Sequence, residues 1–237
     1  MTPAALVTGG AKRIGLAIAT ALAERGYDIA LHYRSSREEA ERAAETIRRS
    51  GRSCGIFPCD FNRTEEVLNL VPRVFERFPG CRILVNSASI FERGFLKDTT
   101  EDLFDRHLRV NLKAPLFLTR AFAAQGSSGL VVNLCDAKIT GELTAYFAYS
   151  LTKKALHAFT LMAAKELGPR IRVNAVAPGM ILPSTEHSED DLVRMSKKLP
   201  LRRKGDVRYV VSAVLYLLDN DYVTGECLFV DGGEHIR

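Results

Sequence analysis

Seven short apolar runs alternating with helical patterns constrain this 237-residue chain more than any other feature. Ala4 to Val7 opens the series. Ile29 to Leu31, Cys54 to Cys59, Arg82 to Val85, Leu130 to Leu134, Arg172 to Val176 and Cys227 to Val230 continue it. Runs this short and this apolar read as strands covered on both faces, which is the habit of parallel sheets. Helical segments fill the intervals: Ile14 to Arg25, Arg37 to Arg49, Glu65 to Phe78, Asp102 to Phe122, a helix carrying Tyr149 as far as Leu167, and Asp206 to Leu218. A strand, a helix and a second parallel strand join by a right-handed crossover. The expected fold class is therefore α/β, a doubly wound seven-stranded parallel sheet with helices on both faces, in a single domain over 1–237.

Three local expectations accompany this frame. Pro72 should kink or interrupt its helix, and Pro115 should bend another. Asp206 should cap the last helix. The stretch from Met180 to Leu201 is polar, carries Pro183 and Pro200, and follows the sixth strand on the edge where such sheets bind ligands. It is expected to be irregular and to serve as a mobile substrate lid, with a plain surface loop as the alternative.

Composition excludes several classes. No run of 18 apolar residues occurs and a core strand begins at Ala4, so neither a leader peptide nor a membrane span is expected. The net charge is +5, but 28 acids lie mixed among 33 bases with no basic stripe interleaved with aromatics. Nucleic acid is therefore not an expected partner, whereas anionic small molecules are. Five scattered cysteines without CxxC spacing imply free buried thiols, no metal site and a reducing, cytoplasmic setting.

Two motifs carry chemistry. Gly9 and Gly10 allow a tight turn after the first strand, and Gly15 allows the next helix to pack close. The N-terminus of that helix, at Ile14, offers unpaired amides to a pyrophosphate, in the manner of a Rossmann-type nucleotide site. Further on, Tyr149 and Lys153 stand at i, i+4 on one helix face. A cation there is expected to lower the phenol from about 10 towards the range of an acid-base catalyst. Alone, that pair is just as well two neighbours on an ordinary helix.

Together the motifs are identified as those of the short-chain dehydrogenase/reductase family. They are Thr8 to Gly15, Cys59 to Phe61, Asn86 to Ser89, Val110 to Pro115, Tyr149 to Lys153, Arg172 to Gly179 and Thr224 to Gly233. A narrower set resembles the pteridine and dihydromonapterin reductases: GGAKRIG, His32 to Ser36, Ser89-Ile-Phe91, Asp136 in place of a serine, and the terminal DGGEHIR. The resemblance implies that Asp60, beside Phe61, takes an adenine amine. It implies that Asn86, Ser87 and Ala88 line the adenosine ribose and that Pro178, Gly179 and Met180 cradle a nicotinamide amide. Asn111 would hold a water linking Lys153 to solvent; a buried asparagine at a helix kink is the plainer alternative. A homotetramer is the usual assembly. The C-terminal tail, turned by Asp231 to Gly233, would offer Arg237 to a neighbouring subunit's pocket, although chain ends fray by default.

Cofactor choice follows from the end of the second strand. An acid about 20 residues after the glycine loop would bind the ribose hydroxyl of NAD, and a base there accepts the phosphate of NADP. Here Tyr33-Arg34-Ser35 carries no acid. Arg34 can grip a phosphate bidentately with the Ser35 hydroxyl beside it, and Arg13 lies in the first loop. NADPH is the expected cofactor.

Substrate choice turns on Asp136, thirteen residues before Tyr149. A serine there would donate to a ketone oxygen, whereas a carboxylate repels a developing alkoxide. Asp136 suits a substrate that presents N–H groups and is protonated on nitrogen, such as a reduced pterin. Tyr149 and Lys153 would orient the ring and serve a second protonation. Phe91 would stack on the ring, with Arg13 and Ser89 at its edges. A carbonyl or 3-oxoacyl-carrier-protein reductase is the alternative, and a nucleotide-binding sensor without turnover is a third.

Overall fold

The computed structural model describes residues 1–126, 128–183 and 187–236. Its strands are β1 (Ala4–Val7), β2 (Asp28–Tyr33), β3 (Cys54–Pro58), β4 (Cys81–Asn86), β5 (Gly129–Leu134), β6 (Ile171–Pro178) and β7 (Cys227–Val230). All pair in parallel, in the order β3-β2-β1-β4-β5-β6-β7. The α/β, Rossmann-type doubly wound sheet expected from the sequence is the observed fold. Strand order reverses between β1 and β4, and the carboxyl ends beside that switch point are where such sheets hold ligands.

The helices are α1 (Arg13–Glu24), α2 (Arg37–Arg49), α3 (Thr64–Arg77), α4 (Glu101–Leu108), α5 (Ala114–Ala124), α6 (Phe147–Leu167), α7 (Glu189–Ser196) and α8 (Val207–Asp219). Side-chain alternation along β1 shows how the layers form. Ala5 and Val7 point into a core shared with α1, α2 and α8, while Ala4 and Leu6 point into a second core with α3, α5 and α6. Helix α2 buries Ala40, Ala43, Ala44 and Ile47, an i, i+3, i+4, i+7 stripe, and places acids in its first turn and arginines in its last.

Three expectations need correction. Helix α3 runs unbroken through Pro72. Pro72 is exposed, as is Leu68 four residues earlier, so water can take the carbonyl left without a donor. The helix expected over Asp102 to Phe122 instead contains a π-helical segment, Arg109–Lys113, just before Pro115. Pro115 cannot donate to the carbonyl of Asn111, and the wider turn absorbs that loss ahead of the proline. The Met180 to Leu201 stretch is not irregular throughout, because it contains α7. Ser188 and Asp191 close a reciprocal capping box there, a start signal overlooked in a polar segment. Asp206 does cap α8, accepting from the Arg208 amide at 2.9 Å.

Candidate active site

One cleft runs along the carboxyl edge of the sheet and gathers residues from several separate segments of the chain. At its centre stand Asp136, Tyr149 and Lys153. Asp136 leaves the end of β5, while Tyr149 and Lys153 lie in the buried stripe of α6 that also carries Thr152, Leu156 and Thr160. The Tyr149 hydroxyl donates to Asp136 Oδ2 at 2.6 Å, and the Lys138 amide donates to Asp136 Oδ1 at 2.8 Å. Lys153 Nζ donates to the Leu134 carbonyl at 2.6 Å and sits 5.7 Å from the Tyr149 ring centre.

The phenol does not behave as expected from its spacing to Lys153. Burial holds it well above the ordinary tyrosine value, and the Asp136 charge and hydrogen bond push the same way. Burial lowers the Lys153 ammonium. Tyr149 is therefore a protonated donor at neutral pH, aimed at a carboxylate that the helix spacing alone does not reveal.

The nucleotide half of the cleft is built around the first turn. Gly9 has φ of +61°, and a Cβ there would approach the Ala88 backbone to 3.0 Å. A Cβ on Gly15 would meet the Gly9 carbonyl at 2.3 Å. The N-cap of α1, Lys12, offers no side-chain acceptor, and the first turn holds no acid. The leading amides of α1 thus face the cleft with Arg13, Ile14 and Gly15, an arrangement that fits a pyrophosphate. Tyr33, Arg34 and Ser35 line its far end with Phe61. Arg34 has no ion-pair partner within 4 Å among the described residues, whereas Arg37 is held by Glu41 at 2.8 Å. Ser87, Ala88, Pro178, Gly179 and Met180 also line the cleft.

The remaining expected site residues have the following surroundings. Asp60, half-buried between the cleft-lining Cys59 and Phe61, accepts from the amide and side chain of Asn62, both at 3.0 Å. Asn86 is buried below the cleft, donating to Asn133 Oδ1 at 2.8 Å, and Asn133 donates on to Thr160. Asn111 sits on the π-helical segment with its amide engaged by the Ser89–Ile90 turn. Its Oδ1 accepts from Ile90 N at 2.9 Å and Ser89 Oγ at 3.1 Å, and its Nδ2 donates to the Ile90 carbonyl at 3.0 Å. It holds that turn and also donates to Thr152 Oγ1 of α6 at 3.3 Å. Phe91 is 38% exposed at the cleft mouth, stacked on Tyr146 at 4.0 Å and edge-on to Tyr149 at 4.7 Å. Arg13 has φ of +55° and donates to the Pro183 carbonyl at 2.7 Å, tying the first loop to the segment after β6. Arg237 lies outside the described residues, as do residues 184–186 of the expected lid. The tail as far as Ile236 folds onto its own chain, with the His235 carbonyl accepting from Thr140 Oγ1 at 3.2 Å.

Two residues that lie within the motifs, with no role of their own assigned from sequence, shape the nucleotide site. Thr8 Oγ1 accepts from the amides of Ser87 and Ala88 at 2.9 and 3.0 Å, clasping β1 to β4 at the switch point. His32 Nδ1 accepts from the Gly9 amide at 3.0 Å while Nε2 meets the Cys59 carbonyl at 3.0 Å, and the ring stacks on Phe61. This geometry requires the neutral ring with its proton on Nε2. Burial accordingly lowers His32 to about 4 from 6.5. The unfolded chain takes up a proton below pH 6.5 that folded His32 refuses until about pH 4, so stability should fall as pH drops through that window. His32→Phe keeps the stack but strands the Gly9 amide, at a cost of about 1–3 kcal/mol. Melting temperatures taken across the window should show a shallower pH slope for the variant. Equal slopes would assign the acid sensitivity to other groups.

No helix among the described residues is long and apolar enough to cross a membrane, and no cluster of three His, Cys, Asp or Glu side chains is arranged to hold a metal. The five cysteines are buried and unbridged.

With this geometry in view, likenesses to known proteins are informative. A family model described as enoyl-(acyl carrier protein) reductase matches residues 9–235. The 3-oxoacyl-(acyl-carrier-protein) reductase FabG of Staphylococcus epidermidis is 32% identical over 246 residues, covering all of both chains. Among solved structures, the FolM alternative dihydrofolate reductase 1 of Brucella suis, in complex with NADP, is 37% identical with a TM-score of 0.95, covering 99% of this chain and 96% of that one. A short-chain dehydrogenase of Burkholderia cenocepacia with NADP is 33% identical with a TM-score of 0.91, covering 98% and 97%.

Proposed function

This chain belongs to the short-chain dehydrogenase/reductase family, and we propose that within it the protein is an NADPH-dependent pterin reductase, converting a dihydropterin to its tetrahydro form. The observation that carries this reading is the 2.6 Å bond from the Tyr149 hydroxyl to Asp136. A ketone oxygen brought to Tyr149 would lie beside a carboxylate, where the negative charge that grows on it during reduction is repelled. A ring presenting N–H donors meets the same carboxylate favourably.

NADPH as cofactor rests on the unpaired Arg34 beside Ser35, on the free amides at the start of α1, and on the NADP held by the Brucella and Burkholderia neighbours. The bound reduced nicotinamide supplies hydride. Tyr149, kept protonated by burial and by Asp136, holds a proton ready for the ring. Asp136 accepts that hydrogen bond and relays a proton drawn from water to a ring nitrogen. Lys153, fixed on the Leu134 carbonyl, supports the tyrosine from below. Phe91 at the mouth supplies an apolar ring for stacking, and Ser89 and Arg13 offer polar contacts to the pterin edges.

A second reading, reduction of a 3-oxoacyl thioester, is favoured by the full-length likeness to FabG and opposed by Asp136. Following NADPH absorbance separates the two. Dihydrobiopterin should drive oxidation much faster than an acetoacetyl thioester, and NADH should be the poorer donor. Faster turnover of the thioester would install the second reading. Consumption with neither substrate would favour a nucleotide-binding protein without turnover.

A further inference from the structure

The C-terminal turn of this chain reaches the site within its own subunit. Asp231 organises the turn, accepting from the Gly233 amide at 3.0 Å, the His235 amide at 2.7 Å and His235 Nδ1 at 2.8 Å. The His235 ring stacks on Phe229 of β7 at 4.1 Å. This fixes Glu234, whose side chain is only 3% exposed, and aims it at the segment that follows Asp136. There it meets Lys138 Nζ at 2.6 Å. Lys138 is also the residue whose amide donates to Asp136 Oδ1. The opposite side of the turn presses on Gly179 in the cleft wall, where a Cβ would come within 2.7 Å of Asp231 and 2.9 Å of Glu234 Oε2.

An interior acid facing outward-running lysine has a cost in desolvation, and a buried pair is weak as a source of stability. It is well suited to fixing a position. The contacts form one path: the ion pair of Glu234 with the Lys138 ammonium, the hydrogen bond from the Lys138 amide to Asp136, and the one from Tyr149 to Asp136. The Thr140 hydroxyl bond to the His235 carbonyl braces the same segment one turn further on.

We propose that Glu234 is a positioning residue, which sets the Asp136 carboxylate through Lys138 and so makes the C-terminal turn part of the site in cis. The inference rests on the role given to Asp136 above. Loss of the strut leaves every group that touches cofactor in place but lets the 136–140 segment drift, and misplacement by about 1 Å can lower a rate about 10²-fold. Glu234→Gln preserves shape and removes the charge. Its kcat for dihydropterin should fall by about 10- to 100-fold, with NADPH affinity unchanged. Lys138→Met should do the same, and the double variant should be no worse than the more damaged single, because both break one path. Placed in an Asp136→Ser background, Glu234→Gln should cost nothing further.

A wild-type kcat in Glu234→Gln, alongside a pterin rate abolished by Asp136→Ser, overturns the strut and spares the reading of the site. Parallel loss of NADPH affinity and kcat also overturns it, placing the turn's work at Gly179. If Asp136→Ser leaves pterin reduction intact, the reading of the site falls and the strut falls with it. Should Glu234→Gln not fold, Lys138→Met tests the path from its more exposed end, with the same outcomes deciding.

Discussion

Asp136→Ser should lower pterin reduction by about 10²–10⁴, the usual worth of a positioned acid-base group. Reduction of small activated ketones should hold steady or rise in the same variant. The repelling charge is gone, and a hydroxyl donor stands near the place where an alkoxide would form. Asp136→Asn probes charge at nearly constant shape: an amide oxygen can still accept from Tyr149, but the group passes no proton on, so pterin turnover should collapse there too. A purely structural Asp136 gives another outcome. As the cap of the turn after β5, accepting from the Lys138 amide, it would lose melting temperature and every activity together. Both activities and the melting temperature of the two variants distinguish these results. A serine variant that reduced dihydrobiopterin at the wild-type rate would end the pterin assignment.

Tyr149→Phe should be comparably severe, lowering turnover by about 10²–10⁴ while NADPH still binds. The ring, its edge contact with Phe91 and its place in α6 survive the change. What disappears is the proton and the donor to Asp136 Oδ2. Stability should drop by about 1–3 kcal/mol, because a polar acceptor in a buried setting loses its partner. The wild-type rate carries a further sign. The phenol is held above the ordinary value of 10, so the alkaline loss of this donor should come only beyond the usual tyrosine range. A fall near neutral pH that persists in the residual activity of Tyr149→Phe would place the titrating group elsewhere. An unchanged rate in Tyr149→Phe on all substrates would make the residue structural.

These two residues show how sequence and structure divide the information. Local rules reach the identity of each group: a YxxxK pair on a helix, an acid thirteen residues upstream. They miss the pairing, since Asp136 comes from the end of β5 and Tyr149 from α6, elements that meet only when the sheet is assembled. The expected direction of the Tyr149 shift was wrong for that reason. Sequence spacing showed the cation, while burial and the facing carboxylate, both products of packing, set the sign.

Burial patterning along the chain determined the seven parallel strands, the glycine turn, the Asp206 cap and the carboxyl edge on which the site lies, because each depends on a period or a residue type read within a few positions. Tertiary structure alone decided the rest. Asn86 is buried with its amide nitrogen on Asn133, and Asp60 accepts from Asn62, because neighbouring strands and turns supply those partners. His32 becomes a neutral clasp on Gly9 because β1, β2 and the end of β3 converge around it. Glu234 becomes part of the Asp136 environment because the turn after β7 falls beside the turn after β5, far away along the chain. Contacts of that separation leave no local pattern, since they are selected by the closure of the sheet and by the pairing of most polar groups it buries.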